Sequence, residues 1–273
     1  MPLTLSLFPK FLKHLRLEEL AVTVRQCGFD TVNLVVRNGF WVTPENLTTA
    51  APEFVQAMNQ AGIPIRLATA AYEPEELRQN PEPLRVLADA GIEAVRIGYF
   101  PLPKQPGLLA YQSAGETLAV LSNLARDAGI RILYQLHHRK LLNASTAILL
   151  AQSLAKQPVD AEWLQYMVDP GNQFHEGRED IGVSIGNLGK QLGAIGVKDL
   201  QPVRTADGTW QFPWAPLQAG LLDWQAIVNA LPSSPSLFAV FMPFYHQHDP
   251  DTLIQNLTHE VRYFRDILNP PTS

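Results

Sequence analysis

The sequence predicts an α/β protein folded as a single (β/α)8 barrel, and three observations predict it. Short apolar runs rich in Val, Ile and Leu alternate with longer amphipathic stretches along the whole chain. Strands covered by helices on both faces read in this way. The runs recur every ~30–40 residues, the spacing of βα units, and eight such units argue for a closed ring. The chain also has 273 residues, close to the ~250 of one such barrel.

The expected strands are residues 3–8, 31–36, 63–70, 94–99, 131–136, 164–169, 192–199 and 237–244. Helical patterns fill residues 17–26, 52–61, 73–90, 114–128, 145–156, 179–191, 224–231 and 251–268. Gly28, Gly62, Gly91 and Gly129 stand where a left-handed residue closes a helix before the next strand. An open doubly wound sheet is the structural alternative. It calls for a Gly-rich turn after the first strand, and Leu5-Ser6-Leu7-Phe8-Pro9 has none. With no low-complexity linker, residues 1–273 are expected to form one domain. The longest irregular stretch, residues 201–222, follows the seventh strand on the face where barrel enzymes build their sites. It reads either as a lid or binding loop, or as a surface hairpin around Ala206-Asp207-Gly208.

Hydrophobic residues make up 46% and charged residues 17%, a balance that buries a sizeable core and excludes a disordered chain. The net charge of −5, with no Lys/Arg cluster, disfavours nucleic acid as a partner and suits a small molecule, although net charge alone does not exclude a local basic groove. Cys27 is the single cysteine, so no intrachain disulfide forms, and its place near a helix end reads as a buried, inert thiol. The N-terminus lacks a signal pattern, and no apolar run approaches the ~20 residues of a membrane helix, so the expected location is cytoplasmic.

Polar residues at the C-terminal ends of barrel strands are the ones to read for chemistry. Arg37 ends the second strand, Arg96 lies in the fourth, Gln135 and His137 end the fifth, Asp169 the sixth and Lys198 the seventh. The pleat places Gln135 with His137, and Gly196 with Lys198, on the inward face, and predicts that at most one of His137 and His138 faces the site. Burying Arg96, Asp169 or Lys198 unpaired costs several kcal/mol, so they pair with one another or meet a ligand. An Arg96–Asp169 ion pair in the barrel mouth is one such arrangement. Asp169 before Pro170-Gly171 also reads as a turn cap. His175 is expected in the loop after strand six as a second histidine candidate, and His246 and His248 have a spacing that suits metal or a solvated loop. Trp41, Trp210 and Trp214 read either as stacking platforms for sugar C–H faces or as wedges that pack loops onto the barrel.

These strings carry a resemblance. Asn33-Leu34-Val35-Val36-Arg37-Asn38-Gly39, Arg96-Ile97-Gly98-Tyr99-Phe100, Tyr134-Gln135-Leu136-His137, Asp169-Pro170-Gly171-Asn172 and Val197-Lys198-Asp199, followed by Asp207-Gly208-Thr209-Trp210, each fall at or after a strand end in order. The chain resembles the xylose isomerase-like sugar phosphate isomerases and epimerases, TIM barrels whose relatives include inosose dehydratases and endonuclease IV. The resemblance implies carbohydrate metabolism and a divalent metal, Mn, Mg or Zn, held by Glu, Asp, His and Glu from strands five to eight. Here the first Glu falls on Gln135, the Asp on Asp169 and the His near Gly196. The last strand, Val240-Phe241-Met242-Pro243-Phe244, has no Glu. Asp169 and Gln135 are thus the only metal-ligand candidates at these positions, and no stoichiometric metal is expected in the purified protein.

The implied function is a sugar, sugar phosphate or inositol-type polyol isomerase or epimerase that abstracts a proton next to a carbonyl, with dehydration as a related outcome. Lys198, His137 and Gln135 are the catalytic candidates. Arg37, Arg96, Asp169, Trp41, Trp210 and His175 are the substrate-binding candidates. The alternative is a non-catalytic polyol-binding barrel that has lost the metal, with an abasic-site nuclease further behind. The partner is a small sugar or polyol; membrane is not expected, and a homo-oligomer is compatible with the sequence.

Overall fold

The computed structural model describes residues 3–176, 179–233, 236–245 and 249–269. Eight parallel strands form its centre. They are β1 (Thr4–Leu7), β2 (Thr31–Val32 and Leu34–Val36, either side of Asn33), β3 (Leu67–Ala70), β4 (Ala94–Arg96), β5 (Arg131–Gln135), β6 (Leu164–Val168), β7 (Leu192–Val197) and β8 (Phe238–Phe241). Each pairs with its sequence neighbours, and β8 pairs back onto β1 in register Thr4↔Phe238 to Leu7↔Phe241. The ring closes through β2, whose first piece pairs with β1 (Ser6↔Thr31) and whose second pairs with β3 (Leu34↔Ala68).

The helices are α1 (Leu17–Cys27), α2 (Leu47–Gln60), α3 (Pro74–Gln79), α4 (Glu82–Asp89), α5 (Leu108–Ala128), α6 (Ser145–Leu154), α7 (Pro170–Glu176), α8 (Ile181–Leu188), α9 (Trp224–Ala230) and α10 (Pro250–Leu268). Three differences from the sequence reading have local causes. The stretch 73–90 splits into α3 and α4 because Pro81 restricts Asn80 to extended backbone. Helix α2 begins five residues before Pro52, which sits inside it, so the i→i−4 hydrogen bond that residue 52 would give to the Thr48 carbonyl is missing there. Residues 170–176 form a helix rather than a loop, so His175 rides on α7. The four helix-closing glycines all have positive φ, between 74° and 87°, as expected. Cys27 ends α1 and is buried.

Side chains divide by the pleat into two cores. Most buried apolar residues pack between strands and helices. A smaller set fills the barrel itself: Val35, Leu67, Ala94, Leu133, Met167, Ala194, Phe238 and Val240. Stepping two residues along each strand from this inner layer leads to Arg37, Thr69, Arg96, Gln135, Asp169, Gly196 and Met242, and two further steps reach His137 and Lys198. The inner core therefore delivers the polar residues to one end of the barrel by periodicity alone.

Residues 199–215 form an arm beyond β7. Asp199–Leu200 pairs antiparallel with Trp214–Ala215, and Val203–Arg204 with Trp210–Gln211. The turn at Ala206-Asp207-Gly208 is thus a surface hairpin at the tip. The base of the arm is pinned by the Asp199 carboxylate, which accepts from the backbone N–H of Leu200, Leu221 and Leu222 and from Trp224 Nε1 at 2.8 Å. Gly220 is needed beneath it, because a Cβ there would lie 1.9 Å from Asp199 Cγ. No helix of the described residues is long and apolar enough to cross a membrane.

Candidate functional site

A cavity of about 200 Å³ opens at the C-terminal ends of the strands. Phe8, Lys10, Arg37, Arg96, Tyr99, Gln135, His137, Lys198, Met242 and Phe244 line it. Five of the sequence candidates, Arg37, Arg96, Gln135, His137 and Lys198, therefore meet around one space. Below it, inside the barrel, lies a pocket of about 10 Å³, room for one water.

Asp169 does not line the cavity but sits behind Lys198, with no exposure to solvent. Its Oδ2 accepts from Lys198 Nζ at 3.1 Å, from Asn172 Nδ2 at 2.9 Å and from Gln135 Nε2. Its Oδ1 accepts from the Asn172 backbone N–H at 3.0 Å, so it also caps the start of α7. Lys198 is 5% exposed and donates in addition to Asn172 Oδ1 at 2.8 Å. The faces of Trp214 and Phe244 lie 4.5 and 5.0 Å from its ammonium. The buried ion pair in the barrel mouth is thus Lys198–Asp169 and not Arg96–Asp169. Arg96 instead donates Nη1 to Ile97 O at 3.0 Å and lies over the Tyr99 ring. Burial lowers the Lys198 pKa and the Asp169 charge raises it again.

Only one of His137 and His138 faces the cavity, although the strand itself ends at Gln135 and the two rings are not thrown to opposite sides. Their rings stack 4.5 Å apart, and His137 is the one that lines the cavity. His137 Nδ1 lies 2.9 Å from His138 O. A carbonyl oxygen only accepts, so Nδ1 carries the proton and Nε2 keeps its lone pair. Burial holds the His137 pKa down to about 4, which leaves the ring neutral at pH 7. His138 Nδ1 meets Asn172 Oδ1 at 3.0 Å, and Tyr99 OH donates to Gln135 Oε1 at 2.7 Å.

The remaining candidates lie outside the cavity wall. Trp41 packs against Phe54 and donates Nε1 to Leu15 O, so it fastens a loop. Trp210, on the arm, is 60% exposed. His175 is exposed on α7, packing edge-on against Trp214, 5.1 Å away, with its ring 5.5 Å from that of His138. His246 and His248 lie outside the described residues. Sequence reasoning assigned no role to Lys10, Tyr99, Asn172 or Phe244. Lys10 is the instructive one: it stands just after β1, on the turn Lys10–Leu12, at the strand end where site residues collect.

Fold and site together define a (β/α)8 barrel with a polar, ligand-sized cavity at its C-terminal mouth. The sequence matches the xylose isomerase-like TIM barrel family over residues 22–251, and the chain belongs to that family. No curated protein matches it in sequence. Among solved structures it is similar to the probable 3-DHS dehydratase AsbF of Bacillus anthracis, with 15% identity, 98% of this chain and 100% of that one covered, and a TM-score of 0.70. It is also similar to a sugar phosphate isomerase/epimerase of Parabacteroides distasonis (13% identity, 96% of each chain, TM-score 0.68). A xylose isomerase-like TIM barrel protein of Mycobacterium smegmatis, solved in complex with magnesium, is 14% identical over 95% of this chain and 97% of that one, with a TM-score of 0.64. At these identities the likeness is one of fold.

The residues present do not fit a divalent metal such as the magnesium with which the Mycobacterium smegmatis protein was solved. Asp169 has spent its oxygens on four protein donors, one of them the Lys198 ammonium. A dication beside that ammonium would meet like charge at short range. Gly196 brings no ligand, and its missing side chain leaves the space that Met242 Cε fills, 2.7 Å from where a Cβ would stand. Among the described residues no group of three or more His, Cys, Asp or Glu is placed to hold a metal. Thermal unfolding of the purified protein is accordingly expected to be unchanged by EDTA or by added Mn²⁺, Mg²⁺ or Zn²⁺, since only a ligand of the native state raises stability. One equivalent of metal bound at Asp169 by elemental analysis would contradict this.

Proposed function

We propose that the protein is an isomerase- or epimerase-type enzyme of small sugars or polyols that abstracts a proton next to a carbonyl without a bound metal. The observation that carries this reading is the pairing of a neutral imidazole with a buried ammonium on one small cavity. His137 Nε2 takes the proton from the carbon next to the carbonyl. Charge then develops on the carbonyl oxygen, and the Lys198 ammonium, held by Asp169 and Asn172, stabilises it from a desolvated position. Return of the carbon-bound proton to the former carbonyl carbon, with the adjacent hydroxyl proton passing to the former carbonyl oxygen, gives isomerisation. Protonation of the original carbon from the other face by water, with the first proton leaving His137 to solvent, gives epimerisation. Gln135 is held by Tyr99 and Asp169 and keeps the wall rigid, and as a neutral amide it is no base.

The rival reading is a polyol-binding barrel without catalysis, favoured by the single carboxylate at the former ligand positions and its engagement by protein donors. Deuterium wash-in separates the two. A panel of ketoses and inososes incubated in D₂O is expected to yield a compound whose α C–H exchanges in the presence of the protein. The rate is expected to hold from neutral pH down to about 4, because His137 loses its lone pair only below that value. On the alkaline side it falls as Lys198 loses its proton, below the ordinary lysine value because burial lowers it. Binding without exchange would favour the rival.

A further inference from the structure

One part of the cavity wall is cationic and has no counterion among the described residues. Lys10 follows β1, Arg37 follows β2 and Arg96 ends β4, and all three line the cavity, while among the described residues no aspartate or glutamate does. Among the described residues no carboxylate lies within ion-pair distance of any of the three. Arg96 is 9% exposed and carries five N–H donors, of which the Ile97 carbonyl uses one. The one sealed and unsatisfied side-chain atom among the described residues is Gln173 Oε1, so the remaining guanidinium nitrogens of Arg96 are not sealed, and Arg96 lines both the cavity and the small pocket beneath it. Among the described residues Arg37 donates no side-chain hydrogen bond, and Lys10 stands over the ring faces of Phe11 and Phe244. These charges disfavour one another: burial and then Arg96 lower the Arg37 pKa, and burial, Arg37 and Lys13 lower that of Lys10. Such crowding in a chain of net charge −5 is unfavourable until an anion arrives.

We propose that Lys10, Arg37 and Arg96 form an oxyanion subsite, and that the substrate is a carboxylate- or phosphate-bearing sugar or polyol rather than a neutral one. The substrate half of this rests on the reading given under Proposed function, whereas the subsite stands on its own geometry. Guanidinium groups present paired N–H donors that match the oxygens of either anion, and Lys10 adds a point charge beside them. An anchor there leaves the rest of a ring-sized ligand to reach His137 and Lys198 within the same 200 Å³.

Calorimetric titration with inorganic phosphate, D-glucose, D-glucuronate and D-glucose 6-phosphate tests it, since the three sugars differ only at C6. At least one sugar anion is expected to bind more tightly than D-glucose by about tenfold or more. Whichever of D-glucuronate and D-glucose 6-phosphate binds better identifies the anion as carboxylate or phosphate. Inorganic phosphate is expected to compete with the sugar anion, and both to weaken as salt is raised, while D-glucose does not respond. Arg37→Gln, on a half-buried side chain, and Arg96→Gln are expected to erase the anion preference without abolishing what D-glucose binding exists. Circular dichroism of both variants guards against unfolding, and Arg37→Gln keeps the test open where Arg96→Gln does not fold. Equal binding of D-glucose and the anions, an anion preference unaltered in Arg37→Gln, or no binding of any of the four probes would overturn the subsite. Phosphate binding lost in Arg37→Gln, with no α C–H exchange on any carbonyl substrate, would keep the subsite and sink only the enzymatic reading.

Discussion

Asp169→Asn is expected to destabilise the protein by about 3–5 kcal/mol, because it strands the Lys198 ammonium in a site with little water. The ammonium keeps Asn172 Oδ1 as an acceptor but loses its one carboxylate partner among the described residues. Part of the loss is recoverable by neutralising the lysine too. Asp169→Asn with Lys198→Met is expected to be more stable than Asp169→Asn alone, and a double-mutant cycle in urea gives the coupling. An Asp169→Asn change below about 1 kcal/mol would show that the pair is solvated and that the protein does not depend on it.

The second large effect falls on catalysis. His137→Gln keeps a hydrogen-bonding side chain but removes the basic nitrogen, so α C–H exchange on the substrate found by wash-in is expected to fall by about 10²–10⁴-fold. The loss should appear in kcat with KM little changed, because the imidazole acts on the reacting proton rather than on the anchor. A loss of less than about tenfold would move the base elsewhere, with Lys198 the next group on the cavity.

How much of this was legible in the sequence follows from where the physics is local. Alternation of apolar runs and amphipathic stretches is a property of short windows, so the ring of eight strands and the inward placement of Arg37, Arg96, Gln135, His137 and Lys198 could be read without coordinates. The pairing of charges could not. Arg96 and Lys198 are equally plausible partners for Asp169 on paper, and the choice depends on α7 bringing Asn172 between strands six and seven. His175 was misplaced for the same reason, since Pro170-Gly171 reads as a turn and only the Asp169 cap shows that it opens a helix. Lys10 was invisible because its turn has no motif, and only ring closure brings the residues after β1 beside those after β2 and β8.

The glycine at 196 makes the altered metal positions hard to reverse one at a time. A histidine there would put its Cβ 2.7 Å from Met242 Cε and 3.1 Å from Asp169 Oδ2. Met242 can swing aside, but Asp169 is held by donors from β5, α7 and Lys198, the residue after β7, at once. A glutamate at 135 would turn a donor to Asp169 into a second negative charge against it, and no single change supplies the acid missing from β8. The four positions are therefore epistatic: each reversion is unfavourable on the present background and useful only beside the others. Building a four-ligand metal site into this barrel calls for several simultaneous changes, because the Lys198–Asp169 pair and its donors occupy the place where the ligands would stand.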